Sequence, residues 1–166
     1  MTDMRTIFDK TTADWFAAAL GEPTQVQKEA WPAIAGGKHT LVSAPTGTGK
    51  TLSAFLVFID RLMKQAREGT LPRKLQLIYI SPLKSLAGDI RENLRRPLDG
   101  ISGGGTDLID VAIRTGDTPQ RDRQRMVKYP PHILITTPES LYLMLTSKSG
   151  QSVLSSARAI ILDELH

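Results

Sequence analysis

The chain has 166 residues, of which 40% are hydrophobic and 23% are charged, and its formal net charge is +4. This composition predicts one soluble domain with a real core, and the mild basic excess only weakly favours a polyanionic partner. Cysteine is absent, which excludes a disulfide framework and a thiol zinc site. Without a signal-peptide pattern or a membrane-spanning apolar run, a cytoplasmic protein with no membrane contact is expected.

Two helices are predicted before the first strand. One covers residues 9–21, with Thr11 or Thr12 as its cap, and the next opens with Thr24 as its N-cap. Pro32 is expected to kink or restart the second helix, because proline lacks a backbone donor. Three aromatic residues of this region are expected in the core rather than in a ligand platform: Trp15, Phe16 and Trp31.

Residues Ala44 to Thr51 carry the strongest motif of the chain. They read Ala-Pro-Thr-Gly-Thr-Gly-Lys-Thr, which is the phosphate-binding P-loop pattern G-x-x-x-x-G-K-[ST] with alanine in place of the first glycine. An apolar run at 39–43 predicts a buried strand before the loop. Apolar residues from Leu52 to Met63 recur at helical spacing and predict a helix after it.

The chemistry of this loop suits a nucleoside triphosphate. Its glycines let successive N–H groups point at phosphate oxygens, and the helix N-terminus adds partial positive charge. Lys50 would reach the β- and γ-phosphates, and the Thr51 hydroxyl would ligate Mg²⁺. The residues expected to bind ATP in this loop are Thr46, Gly47, Thr48, Gly49, Lys50 and Thr51. The competing interpretation is an ordinary glycine-containing turn between a strand and a helix.

Strands and helices alternate after the P-loop helix. The apolar strands predicted in this part are 75–80, 110–113, 132–135 and 159–162. Between them the pattern predicts a helix from 83 that Pro97 stops, a loop at 100–105, and helices that begin at Thr118-Pro119 and Thr137-Pro138. This order predicts an α/β fold with a mainly parallel sheet and helices on both faces.

Polar segments follow the strands, at 44–51, 81–84, 114–118, 136–140 and 163–166. Ligands of parallel sheets bind beyond the carboxyl ends of the strands, so these segments are expected to form one functional edge. Asp163 would hold Mg²⁺ there, and Glu164 would polarise the attacking water as a general base. The competing interpretation of this acidic pair is a solvated strand end. A zinc site that uses His166 is not favoured, because His39 and His132 are not at ligand spacing to it.

The motifs, taken in order, resemble those of the first RecA-like domain of a superfamily 2 helicase over residues 8–166. They are Pro-Thr-x-x-Gln at 23–27, Ala-x-x-Gly-x-Gly-Lys-Thr at 44–51, Ser-Pro-Leu-Lys at 81–84, Thr-Gly-Asp at 115–117, Thr-Pro-Glu-Ser at 137–140 and Asp-Glu-Leu-His at 163–166. The segments Gln-Lys-Glu-Ala-Trp-Pro-Ala-Ile and Arg-Thr-Gly-Asp-Thr resemble the large-helicase-related (Lhr) branch of ATP-dependent DNA helicases. His166 and residues 81–84 depart from the D-E-A-D box RNA helicases.

The resemblance implies roles for further residues. Gln27 would read the adenine edge of ATP, and Phe8 would stack on the base. The groove for one nucleic-acid strand would be lined by Pro82, Lys84, Gly116, Thr137 and Glu139. That strand would be DNA, with RNA or a hybrid as the alternative. Judged from the sequence alone, Thr137 is equally an ordinary N-cap. The basic side chains at 121–128 are expected to be a solvated face: Arg121, Arg123, Arg125 and Lys128.

Two other interpretations compete with an ATP-driven helicase or translocase. Ile101-Ser102-Gly103-Gly104 superficially resembles the signature of transporter ATPases, but it lies far upstream of Asp163, whereas that signature closely precedes its acidic strand. Small-molecule kinases, another P-loop class, lack the glutamate and histidine that follow the aspartate. The second interpretation is a fragment that binds nucleotide and nucleic acid without catalysis of its own.

The sequence stops at His166, before the family's Ser-Ala-Thr motif and second RecA-like domain. Residues 1–166 are therefore expected to be an incomplete ATP-binding domain that lacks the arginines of the second domain and does not unwind duplex alone. In the resembled fold, the Ser-Ala-Thr strand lies between the P-loop strand and the Asp-Glu strand. These two strands are therefore not expected to pair directly, and the excerpt is expected to be poorly stable.

Overall fold

The computed structural model describes residues 4–45, 47–82, 90–103 and 108–164, and the predicted features at Thr46, 83–89, 104–107 and 165–166 lie outside the described residues. The chain forms two compact units. The first covers Met1–Gly69 and Gly88–Thr106, and the second covers Thr70–Ala87 and Asp107–His166. Within the described ranges, none of the helices has the length and apolarity that crossing a bilayer requires.

The first unit is built from helices. A short 3₁₀ turn at Met4–Thr6 precedes α1 (Lys10–Leu20), α2 (Gln25–Ala35) and α3 (Lys50–Arg67), and a π-helical turn at Arg91–Arg95 leads into α4 (Arg96–Ser102). α1 packs on α4, and α3 packs on both α2 and α4. The predicted helices at 9–21 and after Thr24 are confirmed, as is the helix that follows the P-loop motif, but Asp9 rather than Thr11 or Thr12 is the N-cap of α1.

An aromatic cluster lies at the centre of the first unit. Phe8, Phe16 and Trp31 are buried, and Trp31 receives the other two rings edge-on at centroid distances of 4.9 and 5.4 Å. The expected burial of Phe16 and Trp31 is confirmed. Trp15 is only half-buried, and it packs so closely on α4 that a Cβ at Gly100 would lie 1.8 Å from its indole nitrogen.

A buried carboxylate links the P-loop helix to the start of α1. Asp60 of α3 accepts a hydrogen bond from the backbone N–H of Asp9 at 3.1 Å. Burial raises the pKa of the Asp60 carboxyl, and the bond from Asp9 opposes that rise. Arg67 of α3 adds a longer contact, 3.7 Å, to the Asp9 carboxylate.

Two local predictions for the first unit are wrong, and the predicted restart of the second helix at Pro32 does not occur. Residues 39–43 form no strand and Leu41 is 83% exposed: this segment is not among the four strands of the described sheet, so its backbone lacks the hydrogen-bonded neighbour that a strand needs. Pro32 lies inside α2 without interrupting it. Pro97 does not stop a helix: it is the second residue of α4, directly after the π-helical turn, because the fixed φ of proline is compatible with a helix, and α4 continues to Ser102, into the predicted loop.

The second unit contains a parallel sheet of four strands. These are β1 (Leu77–Ile80), β2 (Val111–Arg114), β3 (Ile133–Thr136) and β4 (Ala159–Leu162), in the spatial order β2-β3-β1-β4. All pairings are parallel, with Ile80 opposite both Thr136 and Leu162. The predicted α/β class and the parallel sheet are confirmed, with strand ends shifted by one or two residues.

Helices α5 (Gln120–Lys128), α6 (Pro138–Leu145) and α7 (Lys148–Leu154) flank this sheet. Their apolar side chains meet one face of the sheet in a continuous core: Leu75, Ile78, Ile80, Met126, Leu134, Met144 and Val153. The central strands β1 and β3 are buried along their whole length. α7 is not predicted from the sequence, since its residues lack an apolar period, but Ser147 caps it and Gly150 packs directly on the backbone of Met144.

A buried histidine gives the second unit a pH-dependent stability. His132 is 7% exposed, its Nδ1 accepts the backbone N–H of Asp110 at 2.9 Å, and burial lowers its pKa below the ordinary value. As pH falls, the unfolded chain therefore binds a proton at this histidine before the folded chain does. The contribution of His132 to the free energy of unfolding is retained above a pH of about 6.5 and is lost progressively below it.

We expect His132→Gln, which keeps an acceptor and cannot titrate, to flatten this dependence. The difference in melting temperature between pH 7.5 and pH 5 should be smaller in the variant than in the parent chain. His39→Gln, which replaces an exposed histidine, is the matched control and should leave the difference unchanged. Equal pH dependence in all three proteins would contradict the assignment.

Candidate nucleotide and nucleic-acid binding sites

The P-loop motif forms a tight turn at the start of α3. Gly47 and Gly49 both have φ of +80°, the left-handed conformation that glycine adopts without strain. The Thr48 hydroxyl donates to the carbonyl oxygen of Pro45 at 2.7 Å and closes the turn. Lys50 begins α3, and its ammonium donates to the carbonyl oxygens of Ala44 and Pro45, so that the charge lies over the loop itself. Thr46 lies outside the described residues.

The Pro-Thr-x-x-Gln segment packs against this loop and is hydrogen-bonded to it. Thr24 and Gln27 form a capping box at the start of α2, in which the side chain of each accepts the backbone N–H of the other. The Thr24 hydroxyl also donates to the carbonyl oxygen of Thr48 at 2.9 Å. Gln27 is 3% exposed, and a Cβ at Gly49 would lie 2.5 Å from its Nε2. The segment thus makes direct contact with the phosphate loop.

Phe8 does not have the surroundings expected of a base-stacking residue. It is 4% exposed and its ring packs on Trp31, so here it is part of the core. Sequence spacing could not distinguish these roles, because an aromatic residue upstream of the Pro-Thr-x-x-Gln segment satisfies both. Gln27 lies beside the loop, and its amide oxygen already accepts the Thr24 N–H.

The polar segments of the second unit share one edge of the sheet. Because the strands are parallel, residues 81–82, 115–118, 137–140 and 163–164 all follow carboxyl ends. The strand order gives the sequence along this edge: the Thr-Gly-Asp turn comes first, then the start of α6, then Pro82, and last the Asp-Glu pair. Neighbouring segments are separated by roughly one strand spacing, about 4.8 Å.

The acidic pair is oriented by contacts that sequence analysis missed. The Tyr79 hydroxyl donates to Asp163 Oδ2 at 3.0 Å, and the Glu164 N–H donates to Asp163 Oδ1 at 2.9 Å. Glu164 has a φ of +54°, a left-handed conformation that is uncommon for residues other than glycine. Tyr79 is fully buried in β1 and reads in the sequence only as an apolar strand residue.

The residues predicted to line a nucleic-acid groove are distributed along the same edge. Pro82, Gly116 and Glu139 are exposed, whereas Thr137 is 5% exposed and caps α6 by accepting the Ser140 N–H. Lys84 lies outside the described residues. The edge therefore brings together four of the five predicted groove residues, and Thr137 also has the capping role that its sequence context allowed.

The Thr-Gly-Asp turn is held by a basic side chain from α5. Arg123 donates through Nε to the carbonyl oxygen of Thr118 at 2.8 Å and through a terminal nitrogen to that of Gly116 at 2.7 Å. The Thr115 N–H donates to the Thr118 hydroxyl at 2.9 Å. The prediction that Arg123 belongs to a solvated face is therefore wrong, whereas Arg121, Arg125 and Lys128 are exposed as expected.

A glycine-supported P-loop at a helix start, together with an acidic pair at the carboxyl end of a parallel strand, defines the class of RecA-like nucleotide-binding domains. The chain belongs to the DEAD/DEAH box helicase family, whose sequence profile matches residues 24–166. The predicted resemblance to a helicase domain is confirmed.

Relatives of the Lhr type share most of the chain. It is 50% identical to "Lhr helicase/ probable uracil glycosylase" of Mycolicibacterium smegmatis and 44% identical to "ATP-dependent helicase Lhr-Core" of Methanothermobacter thermautotrophicus. The matches cover 96% and 99% of this chain but only 11% and 20% of those proteins. The structure of Mycobacterium smegmatis helicase Lhr bound to ssDNA and AMP-PNP aligns with a TM-score of 0.85 and 47% identity, over 99% of this chain and 21% of that one.

The contact between Gly49 and Gln27 predicts a sharp response to substitution. Gly49→Ala adds a side chain at φ of +80° and drives it into Gln27, so we expect a lower melting temperature and a loss of ATP binding. Gly37→Ala is the control, because Gly37 has φ of +76° with nothing within 4 Å of an added Cβ. It should show only the strain, about 1–2 kcal/mol, with ATP affinity retained. Equal ATP affinity in both variants, measured by calorimetry, would show that the contact does not shape the loop.

Proposed function

We propose that this chain is the ATP-binding part of an ATP-dependent nucleic-acid helicase or translocase that moves on DNA. The observation that carries the proposal is the P-loop, with Lys50 at the first position of α3 and both glycines in the left-handed conformation. Family membership and the Asp-Glu pair at the edge of the sheet support the same conclusion. Residues 1–166 would then belong to one N-terminal RecA-like ATP-binding domain.

In this proposal the loop residues hold the triphosphate. The backbone N–H groups of 46–49 donate to phosphate oxygens, and the Lys50 ammonium neutralises charge on the β- and γ-phosphates. Binding would exchange the loop carbonyls that Lys50 now contacts for phosphate oxygens. Gln27, packed on Gly49, would connect recognition of adenine to the shape of the loop.

Mg²⁺ suits the donors that the chain offers. The Thr51 hydroxyl and the Asp163 carboxylate are hard oxygen donors, the kind that Mg²⁺ prefers, and they are the residues we propose to hold it. Among the described residues there is no group of three or more His, Cys, Asp or Glu that could hold a metal ion. Mg²⁺ does not require one, since it keeps water and takes substrate phosphates as ligands. When bound, it would neutralise charge that develops on the phosphates.

Glu164 is the proposed general base. Its neighbour Asp163 is held through both carboxylate oxygens by Tyr79 and by the Glu164 N–H, so Glu164 extends from a fixed position. Its φ is positive, and the residue is exposed at the sheet edge just after β4. A carboxylate so placed can accept the proton of an attacking water.

The proposed nucleic-acid strand contacts Pro82, Lys84, Gly116, Thr137 and Glu139. Support comes from the common edge that the described members share and from the ssDNA bound by the similar Mycobacterium smegmatis protein. DNA is the proposed partner, and RNA or a hybrid is the alternative that a binding assay separates. A second RecA-like domain in the whole protein would complete the site with arginines.

Two substitutions in the whole protein test the ATP site. Lys50→Ala should abolish productive ATP binding, because a buried phosphate charge loses its direct counter-ion. Glu164→Gln should retain ATP binding and reduce hydrolysis by about two to four orders of magnitude, since only the proton acceptor is lost. Nucleotide affinity by calorimetry and phosphate release with and without single-stranded DNA are the measurements.

The outcomes separate the roles. Hydrolysis by Glu164→Gln at the parent rate would exclude Glu164 as the base. A parent protein that binds ATP and DNA without turnover would instead favour the alternative of a binding fragment without catalysis.

A further inference from the structure

Arg114 lies at the carboxyl end of β2, on the edge of the sheet that carries the polar segments. It is the last residue of β2, it lies opposite Thr136 in the parallel register, and the Thr-Gly-Asp turn begins immediately after it. Ala112, two residues earlier on the same face of the strand, packs against the apolar core under α5–α7. Arg114 therefore stands where that core ends and the carboxyl edge begins.

The charge of Arg114 is not compensated within the described part of the chain. Its side chain is partly buried, and it makes no ion pair or side-chain hydrogen bond to a described residue. Burial lowers the pKa of Arg114, and the nearby Arg123 guanidinium lowers it further. A cation that is partly removed from water next to a like charge is unfavourable unless an anion pairs with it.

Arg123 is less available for this role than Arg114, because two of its five guanidinium donors are already used. These two donors bind the carbonyl oxygens of Gly116 and Thr118 and so hold the Thr-Gly-Asp turn closed. The turn is further tied by the Thr115 N–H to the Thr118 hydroxyl. Gly116 and Asp117 at its tip remain exposed. Arg123 thus shapes the turn, while the donors of Arg114 remain available beside it.

We propose that Arg114 pairs with a backbone phosphate of the bound nucleic-acid strand, next to Gly116, and that Arg123 is a positioning residue for this contact. The inference rests on the proposed function and adds Arg114 to the five groove residues proposed above. Guanidinium and phosphate match as a two-pronged charged pair, which fixes the strand's position without reading its sequence. The recognised chemistry is the phosphodiester, common to DNA and RNA.

The test measures binding of a fluorescent single-stranded oligonucleotide to the full-length protein as a function of salt. Arg114→Gln should weaken binding by about tenfold and reduce the steepness of log affinity against log salt by about 0.7, the value for one lost phosphate contact on a single strand. Arg114→Lys should retain most of the salt dependence, because lysine still offers a charge. Arg123→Gln should weaken binding with the salt dependence kept, since it makes no phosphate contact itself.

Arg121→Gln is the matched control, because it removes the same charge from an exposed position on α5. It should change affinity and salt dependence much less than Arg114→Gln. Melting temperature and ATP affinity, measured for every variant, confirm that each has folded. DNA and RNA oligonucleotides of equal sequence should lose affinity equally.

The possible failures are distinguishable. If Arg114→Gln and Arg121→Gln change affinity and salt dependence alike while the parent binds tightly, Arg114 makes no phosphate contact and the inference is overturned. A carboxylate elsewhere in the protein that pairs with Arg114 would overturn it as well. A loss confined to DNA or to RNA overturns a pure phosphate contact. If the parent binds ATP but neither oligonucleotide, the proposed nucleic-acid function itself fails.

Discussion

The parallel pairing of four strands is the constraint on which the candidate sites of the second unit depend. Parallel strands bring all carboxyl ends to one edge, and the polar residues that follow each strand are neighbours for that reason alone. Their order along the edge is set by β2-β3-β1-β4 rather than by the order in the chain. The Thr-Gly-Asp turn and the Asp-Glu pair consequently lie at opposite ends, with the start of α6 and Pro82 between them. This separation would allow the carboxyl edge of the sheet to contact two different ligands.

The phosphate loop depends on a second kind of constraint, close backbone contact. Gly49 is required by conformation and by space at once, because it is left-handed and Gln27 fills the volume in which a Cβ would lie. Thr24 contributes through both its capping box and its bond to Thr48. The start of α2 and the start of α3 are therefore in direct contact, and a substitution at one should alter the conformation of the other.

Much of this arrangement could be predicted from the sequence, and the exceptions share a cause. Local signals were sufficient for the cap at Thr24, the helix after the P-loop and the strand that precedes Asp163. The strand predicted at 39–43 fails because a strand depends on a partner that local hydrophobicity cannot supply. The roles of Tyr79 and Arg123 could not be predicted, because their hydrogen bonds join residues that are far apart in the chain or lie on different elements. Pro97 lies within a continuous helical stretch, although a proline lacks the backbone donor and by itself predicts a helix end.

The aromatic cluster of the first unit gives the molecule a built-in optical probe. The chain has two tryptophans, and Trp31 follows Gln27 by one helical turn on α2. Gln27 touches the phosphate loop, while Trp31 is buried between the rings of Phe8 and Phe16. A rearrangement of the loop on nucleotide uptake would reach this indole through a single turn of helix. Its emission would therefore report the proposed ATP binding without any label, and Trp15, half-buried against Gly100, would supply a second signal.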